Sequence, residues 1–372
     1  MISGGGTGGH VYPALAVVEA LTADSIRWIG SQGGVEQALV ARAGLSVEVI
    51  PAGGLHGMSP VTVARNVVRL ARGVIKSYRI VADWKPDVLF VTGGFVTAPV
   101  ALACWLRRVP ILVYLPDIEP GWAVKFLSVL ATRIAVTAEA SRKFLPAHKV
   151  VVTGYPVRQE LVQTRANRSE AQAHFGLDPA RKTILVSGGS KGAQTLNRAL
   201  SQVLDQALAR WQVIHISGAQ DAQEMQARRD KLDDEHQARY RLYDYLHGQE
   251  MGLALAAADL VVSRAGASIL GEYPLMGLPA ILVPYQFAWR YQKVNADYLV
   301  EHGAAVRLDA HDLEQTLWPT LERVLNDEAR LTAMGKSARG LARPEAAAGL
   351  ASQLQRLPHA PGNSQVCGNP RG

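Results

Sequence analysis

Short β-branched runs alternate along the chain with longer stretches whose apolar residues recur at helical spacing. Residues 26–29, 47–50, 88–91, 111–114, 134–137 and 150–153 are predicted strands of a first half. Residues 184–187, 213–216, 260–263, 280–283 and 305–308 are those of a second. Several of these runs contain no polar residue, which is the pattern of parallel strands covered by helices on both faces. The regular alternation predicts an α/β, doubly wound architecture. One stretch imitates a membrane span, because residues 88–106 carry no charge and approach the length that crosses a bilayer. Thr92-Gly93-Gly94 and Pro99 interrupt it, and a glycine turn in lipid would leave backbone groups unpaired. It reads as a buried strand, a turn and a packed helix.

The alternation restarts after Gly154-Tyr155-Pro156-Val157-Arg158, with a polar helical segment at 159–175 before the next strand. This predicts one domain over 1–157, a second over 158–345, and a terminal helix end with a disordered tail over 346–372, where Pro, Gly, Asn and Ser accumulate. Two such domains facing each other would form a cleft between the C-terminal ends of their strands, where ligands of these folds bind. Only three residues precede the first glycine loop, so the first strand is short and a start further upstream is expected.

Composition narrows the class. Apolar residues make up 48% of the 372 and charged residues 19%, which is globular rather than disordered. A net charge of +7 points to an anionic partner, whether phosphate, nucleic acid or an acidic membrane. The two cysteines, Cys104 and Cys367, lie far apart, which argues against a disulfide framework or a cysteine zinc site. With no secretory leader at the start of the sequence, the cytosol is the expected compartment.

Chemistry concentrates in four glycine loops at predicted strand ends. The first, Gly4-Gly5-Gly6-Thr7-Gly8-Gly9-His10, precedes an apolar helix. Glycines at such a turn let the backbone approach an anion, and the helix N-terminus supplies amide donors. The loop contains the spacing of a dinucleotide fingerprint, yet the second strand ends Trp28-Ile29-Gly30-Ser31-Gln32 with no acidic residue for a ribose. A nicotinamide-dependent oxidoreductase is therefore disfavoured. The other loops are Gly93-Gly94-Phe95, Ser187-Gly188-Gly189-Ser190-Lys191-Gly192-Ala193-Gln194 and Ser263-Arg264-Ala265-Gly266-Ala267-Ser268. The third is no Walker loop, because Lys191 precedes Gly192 rather than Ser or Thr. Each alone could be a tight turn; four at successive strand ends suggest a ligand. Glu272, just beyond the fourth loop, either complements a helix dipole or accepts hydrogen bonds from a ribose diol. His10 is either a satisfied core histidine or a catalytic or ligand-positioning group, and its place beside the glycines favours the second. The ten histidines show no metal spacing and no Asp-x-Asp pair occurs, so no cofactor or protein-held metal is expected.

These motifs occur in a set order: Gly5-Gly6-Thr7-Gly8-Gly9-His10-Val11-Tyr12-Pro13, Thr92-Gly93-Gly94-Phe95, Gly188-Gly189-Ser190-x-Gly192-Ala193, Arg264-Ala265-Gly266-Ala267 with Glu272, and Gln292-x-x-Asn295-Ala296. Together they resemble glycosyltransferase family 28, and within it the N-acetylglucosaminyltransferases that act on lipid I in peptidoglycan synthesis. The resemblance implies a GT-B fold of two Rossmann-like domains and a UDP-GlcNAc-dependent hexosyltransferase. Its reaction would be the inverting transfer of GlcNAc from UDP-GlcNAc to the muramyl 4-hydroxyl of undecaprenyl-diphospho-MurNAc-pentapeptide. It implies Gly189 and Ser190 at the donor diphosphate, Glu272 at the ribose, and Tyr245, Leu246 and Met251 near the uracil. Gln292 and Asn295 would meet the GlcNAc hydroxyls. Arg158 and Arg264 would lie near the cleft, Thr7, Gly8, Gly9, Ala267 and Ser268 would also bind substrate, and His10 would sit at the acceptor side as candidate general base or positioner. The chain departs from the family at one loop: in place of His-Glu-Gln-Asn it carries Tyr114-Leu115-Pro116-Asp117, followed by Ile118-Glu119. Asp117 and Glu119 are candidate carboxylate bases there, or solvated loop acids.

Arg65, Arg69, Arg72, Lys76 and Arg79 recur at spacings of four, three, four and three, which puts five cations on one helical face. A basic amphipathic helix suits an anionic membrane surface, and Trp105, Arg107 and Arg108 extend it. The expected location is peripheral, on the cytoplasmic face of the cell membrane. No nucleic-acid-binding module is recognisable. The alternatives are a related GT-B transferase with another lipid or natural-product acceptor, a UDP-GlcNAc 2-epimerase, and a nucleotide-sugar-binding protein without turnover.

Overall fold

The computed structural model describes residues 1–23, 25–54, 59–165, 167–189, 194–285 and 291–358. The chain divides into two compact units. The first comprises Met1–Pro116, Pro120–Pro156 and the C-terminal stretch from Glu345; the second comprises Asp117–Glu119 and Val157–Pro344.

The first unit is built on a parallel sheet of seven strands: β1 (Ile2–Gly4), β2 (Trp28–Ser31), β3 (Val47–Ile50), β4 (Leu89–Gly93), β5 (Ile111–Leu115), β6 (Arg133–Val136) and β7 (Val150–Val152). Their order is β3-β2-β1-β4-β5-β6-β7. Side chains alternate faces along each strand. Ile29, Leu89, Val91, Ile111 and Val113 pack under one helical layer, formed by Pro60–Trp84, Thr97–Leu106 and Trp122–Leu130. Ile2, Trp28, Phe90, Leu112 and Tyr114 pack under the other, where helices Gly8–Ala20 and Glu36–Arg42 lie. The last described helix, Ala346–Gln355, completes that second layer by burying Leu350 and Leu354 against the same core. Arg133 on β6 also donates to Gln353 at 2.7 Å.

The second unit carries a parallel sheet of six strands: β8 (Thr183–Ser187), β9 (Gln212–Ile216), β10 (Tyr240–Tyr243), β11 (Leu260–Ser263), β12 (Ala280–Leu282) and β13 (Ala305–Arg307), in the order β10-β9-β8-β11-β12-β13. Each unit by itself is thus a Rossmann-like α/β fold.

Three expectations are corrected. Residues 159–175 form two helices, Gln159–Thr164 and Arg168–His174, rather than one. The edge strand β10 was not anticipated; it is short, and Tyr240 and Leu242 are its core-facing positions. The loop matched by the resemblance starts later than Tyr114: Leu115 is still in β5, as is Tyr114 of the predicted strand, which is fully buried and whose hydroxyl meets Thr137 Oγ1 at 2.8 Å and the Gly154 carbonyl at 3.2 Å. The uncharged 88–106 stretch is β4 followed by a buried helix, and among the described residues no helix is long and apolar enough to cross a membrane.

Candidate active site

Each sheet reverses its winding beside its first strand. In the first unit the chain leaves β1 towards β2 and β3, then returns to β4 on the other side of β1. In the second it leaves β8 towards β9 and β10, then returns to β11. At such a switch point the outgoing loops diverge and leave a crevice at the C-terminal ends of the strands. The glycine loops follow β1 and β4 in one unit and β8 and β11 in the other.

In the first unit Thr7 is the extended N-cap of helix Gly8–Ala20, so Gly8, Gly9 and His10 form its first turn. Three elements brace the loop before it. The Trp28 indole N–H donates to the Gly4 carbonyl at 3.2 Å, Gly5 N–H donates to the Gly93 carbonyl at 3.2 Å, and Gly6 N–H donates to Glu36 Oε2 at 3.2 Å. His10 Nδ1 lies 2.8 Å from the Thr92 carbonyl. A carbonyl only accepts, so neutral His10 carries its proton on Nδ1 and its lone pair on Nε2. The Thr92 hydroxyl donates back to the His10 carbonyl at 2.6 Å. Gly93 explains itself here: its φ is +116°, and a Cβ would come within 2.8 Å of the imidazole.

In the second unit the switch-point loop after β11 holds a buried constellation. Asn295 has no exposed surface. Its Nδ2 donates to Asp117 Oδ1 at 2.8 Å and to the Ala265 carbonyl at 3.2 Å, and its Oδ1 accepts from Ile118 N–H at 3.0 Å. The segment Asp117–Glu119 thereby belongs to this unit, with Glu119 buried. Arg264 is buried as well. It donates to the Val283 carbonyl at 3.2 Å and lies 5.4 Å over the Tyr285 ring, while its Nε has no hydrogen-bond partner among the described residues. Burial lowers its pKa, opposed by Tyr285. Gln292 Oε1 accepts from Tyr285 N–H at 2.8 Å.

Glu272 opens helix Glu272–Met276. Desolvation raises its pKa above the usual carboxylate range, partly offset by the charge of Arg158 and a hydrogen bond with Ser268. Ala267 and Ser268 form the short 3₁₀ turn just before it. Tyr245 follows β10, half-exposed and tilted against His247 with ring centroids 4.3 Å apart, with Leu246 buried beside it and Met251 in helix Gly248–Ala257. Gly189 follows β8 in the left-handed region at φ +72°; Ser190 lies outside the described residues. The second unit therefore gathers Asp117, Arg264, Ala265, Asn295 and, a turn away, Glu272 with Arg158. Thr7, Gly8, Gly9 and His10 form a separate group in the first unit. No three His, Cys, Asp or Glu side chains cluster as a metal site would require among the described residues.

Two family models match the chain: residues 1–136 the N-terminal domain of glycosyltransferase family 28, and residues 183–351 its C-terminal domain. The chain belongs to glycosyltransferase family 28. It is 41% identical to a family 28 protein of Roseiflexus sp. (strain RS-1), covering 95% of this chain and 94% of that one. The relative is named UDP-N-acetylglucosamine--N-acetylmuramyl-(pentapeptide) pyrophosphoryl-undecaprenol N-acetylglucosamine transferase. The crystal structure of MurG from Acinetobacter baumannii superposes with a TM-score of 0.74 at 25% identity, covering 96% of this chain and 99% of that one. A UDP-GlcNAc 2-epimerase from Neisseria meningitidis superposes with a TM-score of 0.68 at 13% identity over 96% and 99% of the chains, which reflects the shared fold alone.

Two features of this family 28 chain escaped sequence reasoning. One is Glu36, five residues past the end of β2, which reaches back to the first glycine loop. Its only sequence signal is the pair Gly33-Gly34 shortly before it. The other is a buried network at the start of helix Gln194–Arg210. Asn197 Nδ2 donates to the Ser217 carbonyl at 2.9 Å and to Asp221 Oδ2 at 2.7 Å, which turns Oδ1 towards His215 Nε2, 2.9 Å away. Nε2 must then carry the ring proton, and Nδ1 accepts from the Tyr240 hydroxyl at 2.6 Å. Burial lowers the His215 pKa from 6.5 to about 3. A histidine held neutral in the fold stabilises it above the unfolded pKa, and this contribution is lost as pH falls from 6.5 towards 3. In that window His215 contributes up to ~1.4 kcal/mol of stability per pH unit. Urea unfolding of the wild type against His215→Gln across the window should show this slope disappear; equal slopes would refute it.

Proposed function

We propose that the chain transfers GlcNAc from UDP-GlcNAc to the muramyl 4-hydroxyl of undecaprenyl-diphospho-MurNAc-pentapeptide, lipid I, with inversion, giving lipid II. The observation that carries this reading is the 41% identity, over 95% of the chain, to a relative named as that transferase. The geometry is consistent with it. Inversion needs in-line attack by a hydroxyl that loses its proton as UDP departs. His10, with its lone pair on Nε2, is the general base or acceptor-positioning group. Charge grows on the leaving diphosphate, and a buried arginine and loop amides can answer it without a protein-held metal. Arg264 supplies the buried charge, and Gly189 and Ser190 belong to the amide loop. Glu272 pays a desolvation penalty in the unliganded protein, and a ribose diol donating to it would relieve that penalty. Tyr245, Leu246 and Met251 face the base, and Gln292 and Asn295 the sugar. Asn295 would exchange its bond to Asp117 for a sugar hydroxyl. Asp117 and Glu119 remain alternative carboxylate bases.

Mass analysis of the product formed from UDP-GlcNAc and lipid I should show one added N-acetylhexosamine. UDP-GlcNAc converted to its manno isomer without acceptor would overturn the reading. His10→Ala should keep UDP affinity while slowing turnover by about 10²–10⁴-fold. Glu272→Ala should weaken UDP-GlcNAc binding by about 1–3 kcal/mol. Normal turnover in the first or normal donor affinity in the second, by titration calorimetry, would remove that residue from the site.

The acceptor is lipid-linked, so the protein has to meet a membrane. Helix Pro60–Trp84 exposes Arg65, Arg69, Arg72, Lys76 and Arg79, and it also exposes Val67, Val68, Ile75 and Tyr78. Over most of its length its buried positions are instead small or polar, at Asn66, Gly73 and Ser77, and only its last turns bury apolar side chains, Ile80 and Val81. The same helical layer exposes Trp105 and Leu106 next to Arg107 and Arg108. It also exposes Trp122, Phe126 and Val129, at 68%, 46% and 73%, on one face of helix Trp122–Leu130. This layer docks peripherally on the anionic cytoplasmic face of the membrane, each cation contributing about 1 kcal/mol. Replacing Arg65, Arg69 and Arg72 together by Glu should abolish sedimentation with phosphatidylglycerol vesicles while leaving UDP binding intact; unchanged sedimentation would exclude this helix.

A further inference from the structure

We infer that Glu36 is a positioning residue for the acceptor step: its carboxylate occupies the first unit's glycine loop as an internal anion and holds the turn that carries Thr7, Gly8, Gly9 and His10. Glu36 is fully buried. Its Oε1 accepts from Ser31 N–H at 2.7 Å and Ser31 Oγ at 2.6 Å, and its Oε2 accepts from Gly6 N–H at 3.2 Å. Glycines from three segments close around it. A Cβ on Gly5 would come within 2.6 Å of the carboxylate and one on Gly34 within 2.3 Å, while one on Gly30 would meet the Glu36 Cγ at 3.0 Å. These glycines therefore make room for a side chain of the protein itself.

The placement changes what the loop can do. In a dinucleotide-binding fold, an acid at the end of the second strand receives a ribose from outside, and the loop amides receive a pyrophosphate. Here the carboxylate is turned inward and has taken the Gly6 amide, while the Gly5 amide is taken by the Gly93 carbonyl. These two amides are therefore spent within the protein and not offered to a nucleotide. The loop is instead a stiff support for His10, whose ring is fixed on the opposite side by Thr92.

Glu36→Gln separates this role from simple packing. The amide has nearly the same shape but one acceptor oxygen. If that oxygen stays with the two Ser31 donors, an NH₂ group faces Gly6 N–H and the loop loses its tether. The inference rests on the acceptor assignment above, so the wild type is assayed first with lipid I. No turnover there refutes the assignment, and turnover lets the variant test Glu36 alone. With Glu36→Gln the KM for lipid I should rise by about tenfold, the effect of losing one charge-assisted hydrogen bond. The Kd for UDP and its binding stoichiometry, read in the second unit, should stay at wild-type values. Ser31→Ala, which keeps the carboxylate and removes one of its donors, should raise the same KM by a smaller factor. An unchanged KM for lipid I, with only the amount of UDP-binding protein reduced, would mean a purely structural role and overturn the inference. If Glu36→Gln yields no folded protein, an unchanged KM in Ser31→Ala overturns it equally.

Discussion

Backbone groups that leave the end of a parallel strand lose their neighbours on one side, and in a buried crevice each must find another partner. At the switch points of both sheets this constraint decides the local sequence. In the first unit Gly4, Gly5 and Gly6 pass their carbonyl and amide groups to an indole, to the end of β4 and to a carboxylate. In the second unit the turn after β11 gives the Ala265 carbonyl to Asn295, and the segment Asp117–Glu119, distant in sequence, gives the Ile118 amide to the same side chain. Glycine is needed where a neighbour approaches closely, and a buried amide or acid is needed where a backbone group would otherwise be orphaned. The reactive surfaces are what remains once these obligations are met.

The fold was largely readable because buried parallel strands are short uninterrupted apolar runs. β3 and β11 begin and end at the predicted residues, and the other anticipated strands shift by a residue or two. β10 was missed for a physical reason: an edge strand has one neighbour, so Arg241 and Tyr243 can sit half-exposed and blur the apolar signal. The helix Pro60–Trp84 was recognised from its cations, yet its apolar residues were not assigned to the outer surface, because periodicity reports an amphipathic helix without saying which face is covered. The site was legible as glycine loops and far less so as contacts. Glu36 lies five residues beyond the strand end, where a ribose-binding acid would be sought, and only folding brings it back to the loop. Tyr114 aligned with a loop position by resemblance, but its alternation with Leu112 and Leu115 already marked the end of a strand.

Burying polar groups in these units constrains charge as well as geometry. His215 is kept neutral and in a single tautomer by Asn197 and Tyr240, so the start of helix Gln194–Arg210 is pinned by a network insensitive to neutral pH. Glu272 is treated differently: its charge is only partly compensated by Arg158 and Ser268. One network is saturated, whereas the Glu272 carboxylate is left with a desolvation cost that its neighbours only partly offset.

The helix Ala346–Gln355 carries a consequence for how the protein comes into being. Its leucines close a core whose other walls, β1, β2 and helix Gly8–Ala20, are the earliest parts of the chain. On the ribosome, where synthesis runs from the N-terminus, those early parts are made long before their last wall emerges. The first half of the molecule must therefore wait, with one apolar face uncovered, until the second half has been translated. It is a nascent structure with a built-in interval of vulnerability to aggregation, ended only when helix Ala346–Gln355 has been made.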